Sequence, residues 1–420
     1  MTRLSAALTG WRRVRASAIA PAAGCLVAVV IGCSPREASH TPDAGPPPTG
    51  SSVATDDMSA GTLASGKQIF RFDTFGDEQF WTDTLHMERV VQKSVDPTTA
   101  LSVGLKVDMD VLPPAVVKGV QDGTIDLKNP ATTLALLKIN AVVGLAGTVV
   151  TIAGKDSLTR IGVTCALCHS TVDNAFSKGI GHRMDGWPNR DLNVGAIIAL
   201  SSAVTPGQKA VYTSWGPGKY DPRFNIDGKN TPLLLPPAYG LARITNETYT
   251  AEGPISYWNA YVAVTQMHGH GNFSDPRLGI DIHQAPDMVT PKLAALRAYQ
   301  HSLPTPQPPR GAFDVASASR GRVVFDASCA SCHVGGNGSD NNGGVLHTAS
   351  ETGVNGDYAL RTASKKYRTT PLRGLWQHPP YFHDGSAATL EAVVNHYDSV
   401  RHLGLSRTQQ SDLVQYLRSL

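Results

Sequence analysis

Two stretches of this chain decide its reading: Cys165-Ala166-Leu167-Cys168-His169 and, 164 residues further on, Cys329-Ala330-Ser331-Cys332-His333. Each is a CxxCH. Two thiols about one helical turn apart lie on the same side of the backbone and can each form a thioether with a haem vinyl group. The adjacent histidine can then turn its imidazole onto the iron. A random chain of this composition would hold about 0.003 such motifs, so two of them carry a strong signal. The rival uses of CxxC are zinc binding and thiol redox chemistry. Zinc would want both pairs in one site of four ligands.

Cysteine arithmetic supports the haem reading. The chain has six cysteines, and the two outside the motifs, Cys25 and Cys33, fall in the first 33 residues. That segment reads as an export leader, with Arg3, Arg12, Arg13 and Arg15 ahead of an apolar stretch. It ends in Val30-Ile31-Gly32-Cys33, similar to the lipobox of bacterial lipoproteins, so Cys33 is the expected lipidation site. The expected setting is the bacterial cell envelope, facing the periplasm, with the N-terminal lipid in the outer membrane. Residues 34–60, rich in Pro, Ser, Thr, Gly and Asp, read as a flexible tether. No thiol is left for a disulfide, which is unusual for an exported protein. A formal charge of +3 over 420 residues gives no nucleic-acid signature. With 7% aromatic residues, 40 glycines and 28 prolines, the composition suits a loop-rich fold wrapped around a large planar group.

An internal repeat sets the expected organisation. Ser65-Gly66-Lys67-Gln68-Ile69-Phe70 matches Arg320-Gly321-Arg322-Val323-Val324-Phe325, and residues 296–303 match 413–420, with one CxxCH between the members of each set. Each set resembles the first and last helices of a cytochrome c domain. The expected fold is therefore mainly α: two cytochrome c domains at 61–304 and 314–420, joined by the proline-rich stretch 305–311. Gly321 precedes Cys329 by 8 residues and Gly66 precedes Cys165 by 99, so the first domain carries an insertion of about 90 residues. Within it, the apolar segment 132–154 is expected to be a buried helix. Lys138, Asn140 and its glycines argue against a membrane span.

The C-terminal part supplies a more specific likeness. Thr370-Pro371-Leu372-Arg373, Pro380-Tyr381-Phe382-His383-Asp384-Gly385-Ser386 and Thr389-Leu390-Glu391 resemble motifs of the bacterial di-haem cytochrome c peroxidase and MauG superfamily. In the first domain Gly179-Ile180-Gly181-His182-Arg183-Met184-Asp185-Gly186 is more similar to the di-haem rubber oxygenases. The resemblance implies two covalently bound haem c groups, at Cys165, Cys168 and His169 and at Cys329, Cys332 and His333. It also implies a distal ligand 14 residues after His383, at Tyr397, where peroxidases have methionine and MauG-like members tyrosine. His396 is the runner-up. His383 matches a residue that supports the pocket without ligating. His378 stands where peroxidases carry a threonine near an interdomain calcium, which weakens the case for calcium.

For the first iron the candidate distal groups are His182, 13 residues after His169, and His268 or His270; Met184 and Met267 are weaker. Trp187, Trp258 and Trp376 are candidates for an electron relay or for packing. The implied function is that of a peroxidase/MauG-like oxidoreductase, acting at the first haem and exchanging electrons with an unidentified donor or acceptor protein. A pure electron-transfer cytochrome and a rubber-oxygenase-like dioxygenase are the alternatives.

Overall fold

The computed structural model describes residues 56–336 and 338–420. The leader, Cys33 and residues 34–55 of the tether lie outside them, and residues 57–420 pack as one unit. The elements that position the candidate sites are, in chain order, α1 (Ala60–Phe72), α2 (Pro130–Lys138), β1 (Leu145–Ile152), β2 (Lys155–Val163), α3 (Ala166–His169), β3 (Ser170–Val172), β4 (Arg183–Asp185), α4 (Ile255–Tyr261), α5 (Leu293–Ser302), α6 (Val315–Ser328), α7 (Leu390–Val400) and α8 (Arg407–Arg418). The described part is helical with small two-stranded sheets.

The repeated sequence recurs as repeated geometry. Helix α1, capped by Ser59, packs on α5, and α6, capped by Asp314, packs on α8. Each pair closes on a glycine. A Cβ on Gly66 would run into the Ala295 carbonyl and Tyr299, and one on Gly321 into the Asp412 carbonyl. Each crossing carries one aromatic pair, Phe70 with Tyr299 at 5.6 Å and Phe325 with Tyr416 at 5.1 Å. These four residues occupy equivalent places in the two sequence copies, so identical positions do identical packing work. The second crossing adds a two-pronged ion pair from Arg320 to Asp412, at 2.7 and 2.8 Å.

The two crossings anchor the two largest apolar cores. The larger draws on residues from Ile69 to Tyr299, and the smaller on Phe325, Leu375, Leu390, Val394, Leu413, Val414 and Leu417. Between them run polar ties that burial makes strong. Arg361 reaches Asp221 and Asp227, each at 2.8 Å, Arg368 reaches Glu247 at 3.2 Å, and the Leu234 amide donates to the His383 carbonyl at 2.8 Å.

Segment 132–154 corrects the sequence reading. Helix ends at Lys138; the chain turns at Asn140 and Gly144, both at positive φ, and continues as β1 of a hairpin with β2. The run Thr148-Val149-Val150-Thr151-Ile152 is β-branched throughout, which favours a strand over a helix. Ala153 and Gly154, at φ 50° and 77°, form the two-residue turn that the twist of such a hairpin prefers. Only one face of the hairpin is covered, and Ile152 is 66% exposed. Among the described residues no helix is long and apolar enough to cross a membrane.

Candidate haem sites

Strand β2 delivers the first motif. Its last residue, Val163, donates its amide to the Asp77 carboxylate, and Thr164 hydroxyl bonds the Arg71 carbonyl at 3.1 Å. The chain then makes the single turn α3, with the His169 amide bonded to the Cys165 carbonyl at 3.2 Å. Past the histidine, β3 pairs with β4, and the register places Ser170 opposite Asp185. Asp185 is the hub of this site: its carboxylate accepts from Arg71 (2.6 Å), Ser170 (2.8 Å), Arg183 (3.0 Å) and Tyr299 (2.5 Å). One buried carboxylate thus fastens α1, α5 and both strands behind the motif. Burial alone would raise its pKa, but Arg183, Tyr299 and Arg71 outweigh that and hold it below the usual value. Sequence reading quoted Asp185 within its motif but gave it no role, because its partners lie up to 114 residues away.

The second motif closes α6. Cys329 caps that helix, and the amides of Cys332 and His333 both bond the Cys329 carbonyl, at 3.2 and 3.1 Å. Of the six cysteines, Cys165, Cys168, Cys329 and Cys332 are described, and all four are free thiols.

Both histidines are prepared in the same way for a metal. His169 directs Nδ1 to the Pro236 carbonyl at 3.1 Å, and His333 directs Nδ1 to the Gly338 carbonyl at 2.9 Å. A carbonyl can only accept, so Nδ1 carries the proton and Nε2 keeps its lone pair, the tautomer an iron-binding imidazole needs. Burial lowers both pKa values, that of His169 to about 4, so both rings are neutral at pH 7.

A cavity of about 300 Å³ opens beside the second motif. One wall is apolar, from Phe325, Leu375, Leu390, Val394, Leu413 and Leu417, and the Cys329, Cys332 and His333 side chains face it. The opposite wall comes from the N-terminal half, residues 236–249 and Arg190. An apolar slot with two thiols, a neutral imidazole and cationic groups at its polar end fits a haem c.

The two residues competing to be its distal ligand separate cleanly. Tyr397 is half-buried on the cavity wall; desolvation first, then the nearby Cys329 and Cys332 thiols, push its phenol up to about 12. His396 is absent from that wall and bonds the Thr352 carbonyl through Nε2 at 2.8 Å. His383 also lines the cavity, with Nε2 bonded to the Tyr367 hydroxyl at 3.1 Å, an arrangement suited to supporting the pocket. His378 lines it too, bonding the Arg373 carbonyl through Nε2 at 3.2 Å while its buried Nδ1 has no partner.

At the first motif the candidates scatter. His182 is exposed and paired with Asp110 at 2.6 Å, and His270 bonds the Pro286 carbonyl at 2.7 Å. His268 is different: it follows the π-helical turn 262–266, sits at φ 64°, and stacks on Phe80 with ring centroids 3.9 Å apart. Burial lowers its pKa to about 4. Met267 is core, and Met184 lies in β4. Trp187 packs edge-on against Trp376 (5.8 Å) and Tyr239 (6.3 Å), whereas Trp258 packs among Tyr257 and Tyr261.

Residues 318–420 match the cytochrome c family model, so a cytochrome c domain is recognised in the C-terminal part, and such a domain indicates covalently bound haem c. Over 122 residues, a quarter of the chain, the protein is 29% identical to the methylamine utilization protein MauG of Methylophilus methylotrophus. That match spans 36% of the relative's length. Among solved structures, hydrazine synthase of Kuenenia stuttgartiensis shows a slight likeness, with a TM-score of 0.34 and 19% identity over 45% of this chain and 73% of that one.

Proposed function

We propose that this protein is a di-haem c-type cytochrome with oxidoreductase activity of the peroxidase/MauG type. In this reading the N-terminal half is a second, enlarged cytochrome c domain, and His169 and His333 each ligate one iron. The His169 haem is the reaction site, and the His333 haem, with Tyr397 as its distal ligand, is the electron-transfer site. The observation that carries the reading is Pro236. Its carbonyl orients His169, and the same residue walls the cavity beside Cys329 and His333. One residue therefore links the first anchor to the cavity of the second, which suits a pair of centres that exchange electrons.

A bound haem supplies the iron redox couple at each site; the protein's own groups do the rest. Pro236 and Gly338 hold the proton on Nδ1 of the two histidines, and the apolar wall of the second slot excludes water. Lipid anchoring at Cys33 and an electron-donor or acceptor protein complete the proposal.

The test is a haem count by pyridine haemochrome on protein matured with haem-attachment machinery, followed by electron paramagnetic resonance of the ferric form and carbon monoxide binding to the ferrous form. Two haems per chain are expected, of which the His169 haem binds carbon monoxide. One haem per chain, or two low-spin haems inert to carbon monoxide, overturns the enzymatic reading.

A further inference from the structure

Arg190 is half-buried, with no carboxylate to answer its charge. It lies on the loop after β4, where the neighbouring Asn189 amide bonds the Cys168 carbonyl at 2.9 Å, and its side chain lines the cavity of the other half. Its Nε and Nη1 are buried and have no partner, and the Tyr249 phenol is the side chain that bears most on its charge. Arg183, Arg223 and Arg368 also leave buried nitrogens unpartnered, but each has a carboxylate, Asp185, Glu252 and Glu247 respectively. The largest fields on Arg190 come from the Tyr249, Tyr239 and Tyr381 phenols, and no carboxylate pairs with it. Burial depresses its pKa, as expected of a guanidinium taken out of water alone.

The charge of the whole cavity points the same way. Arg190, Arg368, Arg373 and Arg401 line it against Glu247 and Glu351, four positive groups to two negative, a surplus of two. Glu247 is engaged by Arg368, and Glu351 caps Thr348. A haem c carries two propionate carboxylates. A buried charge is stable when it is paired, and the guanidinium fork matches a carboxylate.

We propose that Arg190, a residue of the N-terminal half, binds a propionate of the haem anchored at Cys329 and Cys332, so that the cofactor of one half is held by the other. The proposal rests on the reading that a haem c fills this cavity. It makes Arg190 a positioning residue that joins the two centres: its loop is fixed to the first motif through Cys168, and its fork fixes the second cofactor. The His333 haem then feels the guanidinium as compensation for its carboxylate. Loss of that positive charge favours the ferric state, whose excess charge the bare propionate stabilises.

The test uses the holoprotein and its R190Q and R190K variants, with haem counted by pyridine haemochrome and the His333 haem titrated potentiometrically from pH 5 to 8. Haem content is expected to stay unchanged. R190Q is expected to shift the reduction equilibrium about tenfold toward ferric, which is about 59 mV for one electron. It should also acquire a pH-dependent potential, as the released propionate takes up a proton in a range where the wild type is flat. R190K, which keeps the charge and loses the fork, should shift the equilibrium about threefold. A haem in place with wild-type potential and pH profile in R190Q overturns the proposal alone. If R190Q does not fold, R190K decides, and a wild-type potential there overturns it. A chain with no haem at Cys329 and Cys332 overturns the cavity reading and the proposal together.

Discussion

The two CxxCH motifs share four of their five residues and the proton they keep on Nδ1, and they differ in almost everything around them. The first is set in a frame of strands with a charged hub: Asp185 ties two helices and both strands behind His169. The second ends a helix directly and faces an open slot whose far wall belongs to the other half of the molecule. Between Gly321 and Cys329 one helix suffices; between Gly66 and Cys165 about 90 extra residues build the frame. A short motif fixes where a cofactor attaches. Its surroundings fix how rigidly it is held and which groups share its environment.

The largest expected effect lies in the feature the second site lacks. Asp185→Asn leaves the shape and removes the charge between Arg71 and Arg183, whose side chains are 20% and 2% exposed. Losing one partner of a buried ion network costs about 3–5 kcal/mol, so the N-terminal half should unfold first in urea. The pH dependence has a definite sign. The folded carboxyl titrates below its ordinary value of about 4, so its stabilisation is complete above that value and is lost as pH falls through the lower, folded value. The wild type should therefore lose stability on acidification below about pH 4, and the variant should lack that part of the acid limb. An unchanged urea midpoint in Asp185→Asn would reduce the hub to a bystander.

Next comes the feature the halves share. Gly66→Ala and Gly321→Ala each drive a methyl group into a backbone carbonyl of the partner helix, Ala295 or Asp412. Overpacking of this kind costs about 1–3 kcal/mol. Both variants should lower the thermal midpoint by similar amounts, each through its own half. A loss confined to Gly321→Ala would mean that the first crossing is not equivalent to the second.

What the sequence made legible follows the same division. Local patterns were readable, as in the Gly and aromatic positions of the two helix crossings. Residues whose meaning lies in a distant partner were not. Pro236 meets His169 across 67 positions, and Arg190 serves a cavity whose anchors begin at Cys329. A proline in a Pro-Pro pair and an arginine after Trp-Pro-Asn carry no periodicity to betray such roles. Segment 132–154 failed differently. Its apolar content suits a buried helix, but the β-branched run from Thr148 to Ile152 decides for a hairpin.

The smallest effect in free energy is the sharpest in meaning, and it separates two neighbours on α7. Consecutive residues of a helix point about 100° apart, so Tyr397 and His396 cannot both face the slot. Tyr397 faces it, and His396 turns to the Thr352 carbonyl. With its phenol pushed up to about 12 by burial, Tyr397 is neutral at pH 7 unless a cation lies beside it, and a ferric iron is such a cation. Tyr397→Phe removes one phenol oxygen that has no hydrogen-bond partner among the described residues, so stability should change by less than about 1 kcal/mol and haem attachment should persist. The ferric spectrum of the His333 haem should nevertheless change, and with it the potential. His396→Ala should do the reverse, costing about 1 kcal/mol for its lost hydrogen bond while leaving the spectrum untouched. If His396→Ala alters the spectrum and Tyr397→Phe does not, the distal assignment moves to the histidine, and the MauG-like reading of the second site goes with it.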